Sequence, residues 1–268
     1  MSVTAEPTFA WEPLTPRGVA AFACATLSRL LLVQFIVALL TAASVVWFLD
    51  DGCFPTISAA IQNLPADGAI RSGKLDWRGD PAQLLAEGKF LAFDVDLNHS
   101  GQIHSTADVQ IEFGSDSIRF FFTLLPGYSE LFYVPDRAAP FNRTELEPLW
   151  GAWEVDILFI AGATVTACLL LSWWLLATLY FLPVWLLGFF ANRKLNFRAS
   201  WKLSGAALMP GALLMAAGVL LYHFGFLDLV SLGFVFAAHF ALAWIYLFLS
   251  QLFLPRIAGA QPGGNPFK

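Results

Sequence analysis

The sequence predicts an α-helical membrane protein with four transmembrane helices and a small extracytoplasmic α+β or mainly β domain inserted between spans 1 and 2. Three observations predict it. Hydrophobic residues make up 57% of the 268-residue chain and charged residues only 13%, a balance foreign to ordinary water-soluble domains. Four runs contain no Asp, Glu, Lys or Arg: residues 30–49, 157–192, 203–227 and 229–255. Every acidic side chain except Glu6, Glu12 and Asp228 falls between the first two runs, in residues 50–156.

A helix rises about 1.5 Å per residue, so residues 30–49 reach roughly the 30 Å of a bilayer's hydrocarbon core. Residues 203–227 and 229–255 do so with residues to spare for the interfaces. Residues 157–192 exceed one straight crossing. They either tilt and project or break near Pro183 into a span and a short interfacial piece, with a tight pair of spans as the rival. Charge placement favours one crossing, because short basic loops stay cytoplasmic. Arg17 and Arg29 precede the first run, Arg193, Lys194, Arg198 and Lys202 follow the second, and Arg256 and Lys268 follow the fourth. Four crossings put all of these on one side.

The expected layout is therefore a cytoplasmic N-terminal segment (1–29), spans at 30–49, 157–192, 203–227 and 229–255, an extracytoplasmic domain (50–156), a basic cytoplasmic link (193–202) and a cytoplasmic tail (256–268). The expected location is a bacterial inner membrane. A signal peptide is the alternative for the first run, but this run outlasts an ordinary h-region and leads through Val45-Val46-Trp47-Phe48 to Asp50. Three cysteines give no disulfide framework, and any cross-link from Cys53 would be intermolecular.

Within the inserted domain, Ile57, Ile61 and Leu64 recur at helical spacing before Pro65, predicting a helix over 55–64. Strands are expected at 70–77, 89–97, 109–113, 118–124 and 131–134, with Pro126-Gly127 ending the fourth, as a mainly antiparallel sheet. Leu91, Phe93, Val95 and Leu97 alternate with Asp94 and Asp96, which places the two carboxylates on a solvated face. A calcium or magnesium site would need Asp94, Asp96, Asp108, Glu112 and Asp116 to converge; the sequence does not place them together and their spacing fails the calcium-loop pattern, so a solvated face is the expectation. Phe120, Phe121, Phe122, Tyr128, Phe132 and Tyr133 form an aromatic concentration. Three consecutive phenylalanines cannot share one sheet face, so part of this group is a candidate partner surface. Trp150 and Trp153 read as interfacial anchors.

Motifs for zinc hydrolysis, phosphate loops, paired-cysteine redox chemistry and nucleophile turns do not occur, and neither a cofactor nor nucleic-acid binding is expected. His239 lies near the middle of the fourth run, where its ring needs a helix partner, water or a ligand; Gln34 poses the same question in the first. Asp156 and Asp228 sit at expected helix starts, where a carboxylate meets free N–H groups. Gly205, Ala206, Gly211, Ala212, Ala216 and Gly218 predict close helix packing around Pro210. Lys194, Arg198 and Lys202 recur every four residues after Arg193, as in an interfacial helix whose cations contact anionic lipid headgroups.

The order of elements, together with Leu64-Pro65, Ile70-Arg71-Ser72-Gly73-Lys74-Leu75, Phe93-Asp94-Val95-Asp96, Lys194-Leu195-Asn196-Phe197-Arg198 and Leu203-Ser204-Gly205-Ala206-Ala207-Leu208-Met209-Pro210, resembles a poorly characterised bacterial four-span family. That family includes proteins encoded near maltodextrin-utilisation genes and is distantly Yip1-like. The resemblance implies a membrane position and no particular activity. The expected role is a non-enzymatic accessory, scaffold or sensor, in contact with membrane lipids, whose external domain binds a membrane or envelope protein. A small transporter using His239 and Gln34 is the alternative, and a membrane enzyme acting on lipid or peptide the third.

Overall fold

Backbone groups with no water to bond must pair within their own segment, which turns long apolar runs into helices. In the computed structural model, which describes residues 11–257, four helical stretches are long and apolar enough to cross a membrane: Leu27–Gln62, Arg143–Phe190, Phe197–His223 and Leu229–Gln251. A small mixed α/β domain is inserted between the first two. The chain divides into two units, Val46–Ala161 and the remainder on either side of it.

In the helical unit, α1 (Pro16–Phe22) precedes α2 (Leu27–Trp47). The start of α1 carries a local signal, Thr15 as cap and Pro16 at the first helical position, that the long apolar runs do not show. Thr15 caps it by accepting the Gly18 N–H at 3.0 Å, and Val19, Ala20 and Phe22 are buried in the same core as Leu30, Leu203 and Leu247. A π-helical stretch (Phe48–Cys53) carries α2 into α3 (Phe54–Gln62), burying Cys53 rather than leaving it in a polar segment.

The second stretch is a continuous 48-residue helix, α4 (Arg143–Phe190), which passes through Pro183 without breaking. It begins well before residue 157, so Asp156 lies inside it rather than at its start. Asn142 is its cap, accepting the Glu145 N–H at 2.9 Å while its amide donates to Gly68 O. Asn142→Ala is expected to lower the melting temperature in detergent, corresponding to about 1–2 kcal/mol for a lost cap.

From Gly162 onwards, the buried residues of α4 are Thr166, Trp173, Ala177, Val184 and Gly188. They repeat at seven- and four-residue intervals and so form one narrow stripe along the helix. Leu171, Leu175, Leu179 and Phe190 on its other faces are exposed, as suits lipid contact and not water. α5 (Phe197–Ala207) and α6 (Met209–His223) make up the third stretch, interrupted at Leu208 just before Pro210. All six small residues singled out around Pro210 are buried. Asp228 caps α7 (Leu229–Gln251), accepting the Ser231 N–H at 2.7 Å.

The inserted unit holds two sheets, ordered β2-β1-β8 and β3-β4-β5-β6-β7. The strand expected at 70–77 is a hairpin, β1 (Ala69–Arg71) and β2 (Lys74–Asp76). Ser72 and Gly73 both take positive φ, the requirement of a two-residue type I′ turn. β3 (Ala82–Glu87) is antiparallel to β4 (Leu91–Asp96), but β4 and β5 (Val109–Phe113) are parallel, a departure from the mainly antiparallel expectation. The crossover between them is a loop. β6 (Ser117–Phe122) and β7 (Leu125–Phe132) complete the larger sheet, and β8 (Ala139–Pro140) the smaller. Pro126-Gly127 lies inside β7 opposite a register shift, not after a strand, as a proline in an edge strand is tolerated. One face of the larger sheet joins Ala60, Leu64, Leu75, Leu85, Val95 and Phe141 in an apolar core.

Candidate functional site

The other face of the larger sheet is polar and largely buried. Asp94, Asp96 and Glu112 are 0%, 1% and 3% exposed, which overturns the solvated face expected for them. Alternation puts polar residues together on one side of a strand, but it does not distinguish water from a covering segment. Here the covering segment is the β4–β5 crossover. Ser100 Oγ and Gly101 N donate to Asp96 Oδ2 at 2.8 and 3.0 Å, and Gln110 Nε2 donates to Asp94 Oδ1 at 2.8 Å and to Ile103 O at 3.3 Å. At the loop's start, His99 adopts φ 50°, the left-handed region, and aims its ring back at the sheet. Gly114 leaves room for that ring, with which a Cβ at this position would collide.

His99 joins a chain of polar contacts across three strands. Its Nδ1 lies 2.5 Å from Glu112 Oε1 and its Nε2 lies 3.1 Å from Ser117 Oγ. Ser117 Oγ donates to Glu130 Oε1 at 2.9 Å, and Arg119 Nε donates to the same oxygen at 2.8 Å. The Arg119 guanidinium also lies 4.4 Å from the Tyr128 ring centre. Ser117, His99 and Glu112 have the order of a nucleophile, a base and an orienting acid. Ser117 is fully buried, however, and its proton is directed at Glu130. The Ser117 hydroxyl is thus engaged with Glu130 and does not point at His99.

Electrostatics divide the carboxylates. Burial pushes the Asp94 group up to about 7, aided by neighbouring Glu112 and Asp96 and opposed by the Gln110 bond. Its Oδ2 has no hydrogen-bond partner, which suits a neutral carboxyl. Burial also works to raise Asp96, but the bonds from Ser100, Gly101 and Asn98 outweigh it and hold Asp96 low. The bonds from Arg119 and Ser117 hold Glu130 low. Among the described residues, no group of three or more His, Cys, Asp or Glu side chains is arranged to hold a metal ion.

The expected aromatic surface divides in two. Tyr133 belongs to the core, its hydroxyl donating to Gly114 O at 3.1 Å, and burial raises its pKa. Phe120 and Phe121 are half-buried, while Phe122, Tyr128 and Phe132 are exposed. All eight residues of β7 are exposed, and β7 is the last strand of its sheet. Leu125 and Leu131, which sequence reasoning missed, add to this edge. Trp150 donates to Ser58 Oγ and packs edge-on against Phe54, whereas Trp153 is exposed.

In the helical unit, Gln34 and His239 satisfy separate partners. Gln34 Nε2 donates to Gly205 O at 3.1 Å, its Oε1 being buried without a partner. His239 Nδ1 donates to the Phe236 carbonyl on its own helix, beside the rings of Phe236 and Phe240. Arg193, Lys194, Arg198 and Lys202 do converge, around a cavity of about 700 Å³. Two are anchored: Lys202 Nζ donates to Ala25 O at 2.6 Å and Arg193 Nη1 to Leu254 O at 2.8 Å. Comparison of the chain with family models, curated proteins and solved structures returned no match.

Proposed function

We propose that this protein is a non-enzymatic accessory of a bacterial inner membrane. Its termini are cytoplasmic, and its inserted domain, on the outer side, adds a strand of a membrane or envelope protein to β7. Four candidate spans and the clustering of Arg193, Lys194, Arg198 and Lys202 in one link support this orientation. The exposure of the whole of β7 at a sheet edge carries the functional reading. An edge strand offers a row of unpaired backbone donors and acceptors, and proteins ordinarily blunt it with charge or cover it. β7 carries a single ionised side chain, Glu130, and that group is paired with Arg119. Leu125, Tyr128, Leu131 and Phe132 supply apolar contacts on both sides of such a strand, the combination used in recognition by strand addition.

Photo-crosslinking residues placed singly along positions 128–132 of the full-length protein in cells should give one protein adduct, with yields alternating every second residue. Tyr133 N donates to Asp116 O, so in this antiparallel register the N–H groups of residues 129 and 131 face β6 and those of 128, 130 and 132 face the free edge. Phe132→Pro, which removes an outward donor, should reduce the adduct at positions 128 and 130 about tenfold. Yields without alternation that survive Phe132→Pro, or adducts with lipid alone, would reject strand addition.

A further inference from the structure

We propose that the cavity at the basic link is a binding site for an anionic phospholipid, with the phosphate among Arg193, Lys194, Arg198 and Lys202 and an acyl chain along Trp185 and Phe189. Composition is the first argument: these cations share the cavity with Trp185, Phe189, Leu195, Pro255 and Ile257, and among the described residues no Asp or Glu lines it. Among the described residues, none of the four cations pairs with a carboxylate. Cations gathered at an apolar surface without a counter-ion create a field that favours an anion, and arginine is especially suited to phosphate oxygens.

The second argument is preorganisation. Asn192 ends α4 in the left-handed conformation (φ 54°), with Arg193 N bonded to Gly188 O and Asn192 N to Phe189 O, a Schellman end. The link is then tied to the segment after α7: Lys194 N donates to Pro255 O at 2.8 Å and Ile257 N to Asn192 O at 3.0 Å. Arg193 Nη1 bonds Leu254 O, while its Nε is buried without a partner. Asn196 caps α5 and lines the same cavity. The rim is thus held by backbone bonds before any ligand arrives, so ordering the site costs a ligand little. A basic loop that served only to fix topology would not need these ties. The apolar walls select a phosphate carried by a hydrocarbon chain over a free one.

The test uses the full-length protein in a neutral detergent, titrated separately with phosphatidylglycerol, phosphatidylcholine and inorganic phosphate, with melting temperature and native mass spectrometry as readouts. Phosphatidylglycerol should raise the melting temperature and remain bound as a one-to-one adduct. The double variant Lys194→Gln/Arg198→Gln, which spares the anchoring bonds of Arg193 and Lys202, should melt normally without lipid and bind phosphatidylglycerol about tenfold more weakly. Arg29→Gln, a charge change outside the cavity, should bind as the wild type does. Equal stabilisation by phosphatidylcholine or inorganic phosphate, or an equal loss in Arg29→Gln, would overturn the proposal.

Discussion

Replacing Asp94 by Asn should make the inserted domain more stable at pH 8 than the wild type and remove much of its pH dependence between about pH 4 and pH 7. Asp94 is fully buried and its carboxyl is pushed up to about 7, whereas an unfolded aspartate titrates near 3.9. Between those values the folded state holds a proton that the unfolded state releases. Stability from this group is therefore full below the lower value and lost as pH rises through the upper one. The unfavourable contribution above pH 7 is on the order of a few kcal/mol, since each tenfold change in proton affinity between the two states is worth about 1.4 kcal/mol.

Asn is nearly the same shape, accepts the same Gln110 bond and carries no charge. Asp96, Glu130 and Glu87 are shifted in the opposite direction, so their contributions are lost in acid and survive in the variant. Thermal unfolding of full-length wild type and Asp94→Asn in detergent, at pH 4, 5.5 and 8, measures the difference. The two proteins should nearly converge at pH 4, differ in part at pH 5.5 and separate fully at pH 8. A wild type that melts no lower at pH 8 than its variant does would show that Asp94 ionises without cost and that its burial is compensated.

Asp94 also marks the limit of what the sequence discloses. The alternation of residues 91–97 placed Asp94 and Asp96 on the correct side of a strand but assigned the wrong medium to that side. The covering loop, residues 97–108, is rich in turn formers and carries no apolar signal. The parallel pairing of β4 and β5 rests on that same crossover. β3 went unseen because Ala82-Gln83-Leu84-Leu85-Ala86-Glu87 has the composition of a helix. It becomes a strand through pairing with β4, as tertiary context overrides propensity.

The membrane helices were legible for the opposite reason: charge is excluded from long runs by a large energy, which leaves an uninterrupted pattern. Even there, the sequence left open whether the second run breaks at Pro183; it does not, since a missing N–H inside α4 does not stop a helix whose remaining groups have nowhere else to bond. The basic residues at 193–202 were legible as a cluster. That they surround a cavity depends on the chain after α7 returning to bond the link, and no local pattern encodes that return.

The close approach of α6 to α7 yields a graded expectation from three glycines. A Cβ on Gly211 would lie 2.7 Å from the His239 carbonyl oxygen; on Gly218 it would lie 2.7 Å from Val235 Cγ1; on Gly233 it would meet nothing within 4 Å. The obstruction at Gly211 is backbone, so Gly211→Ala must separate the helices, and a cost of about 1–3 kcal/mol is expected for overpacking. The obstruction at Gly218 is a side chain, but a helical valine has essentially one comfortable rotamer, so Gly218→Ala should be intermediate. Gly233→Ala meets no obstacle and replaces a poor helix former by the best, a gain of up to about 1 kcal/mol.

Unfolding of the full-length protein by a denaturing detergent titrated into mild micelles should therefore rank the variants Gly233→Ala, Gly218→Ala, Gly211→Ala from most to least stable. Wild-type stability in Gly211→Ala would mean that the two backbones do not approach closely in the membrane. Equal destabilisation at all three sites would mean that glycine is required for flexibility and not for fit. The ranking discriminates because helices in lipid gain little from hydrophobic burial against one another and depend on the closeness of their contact.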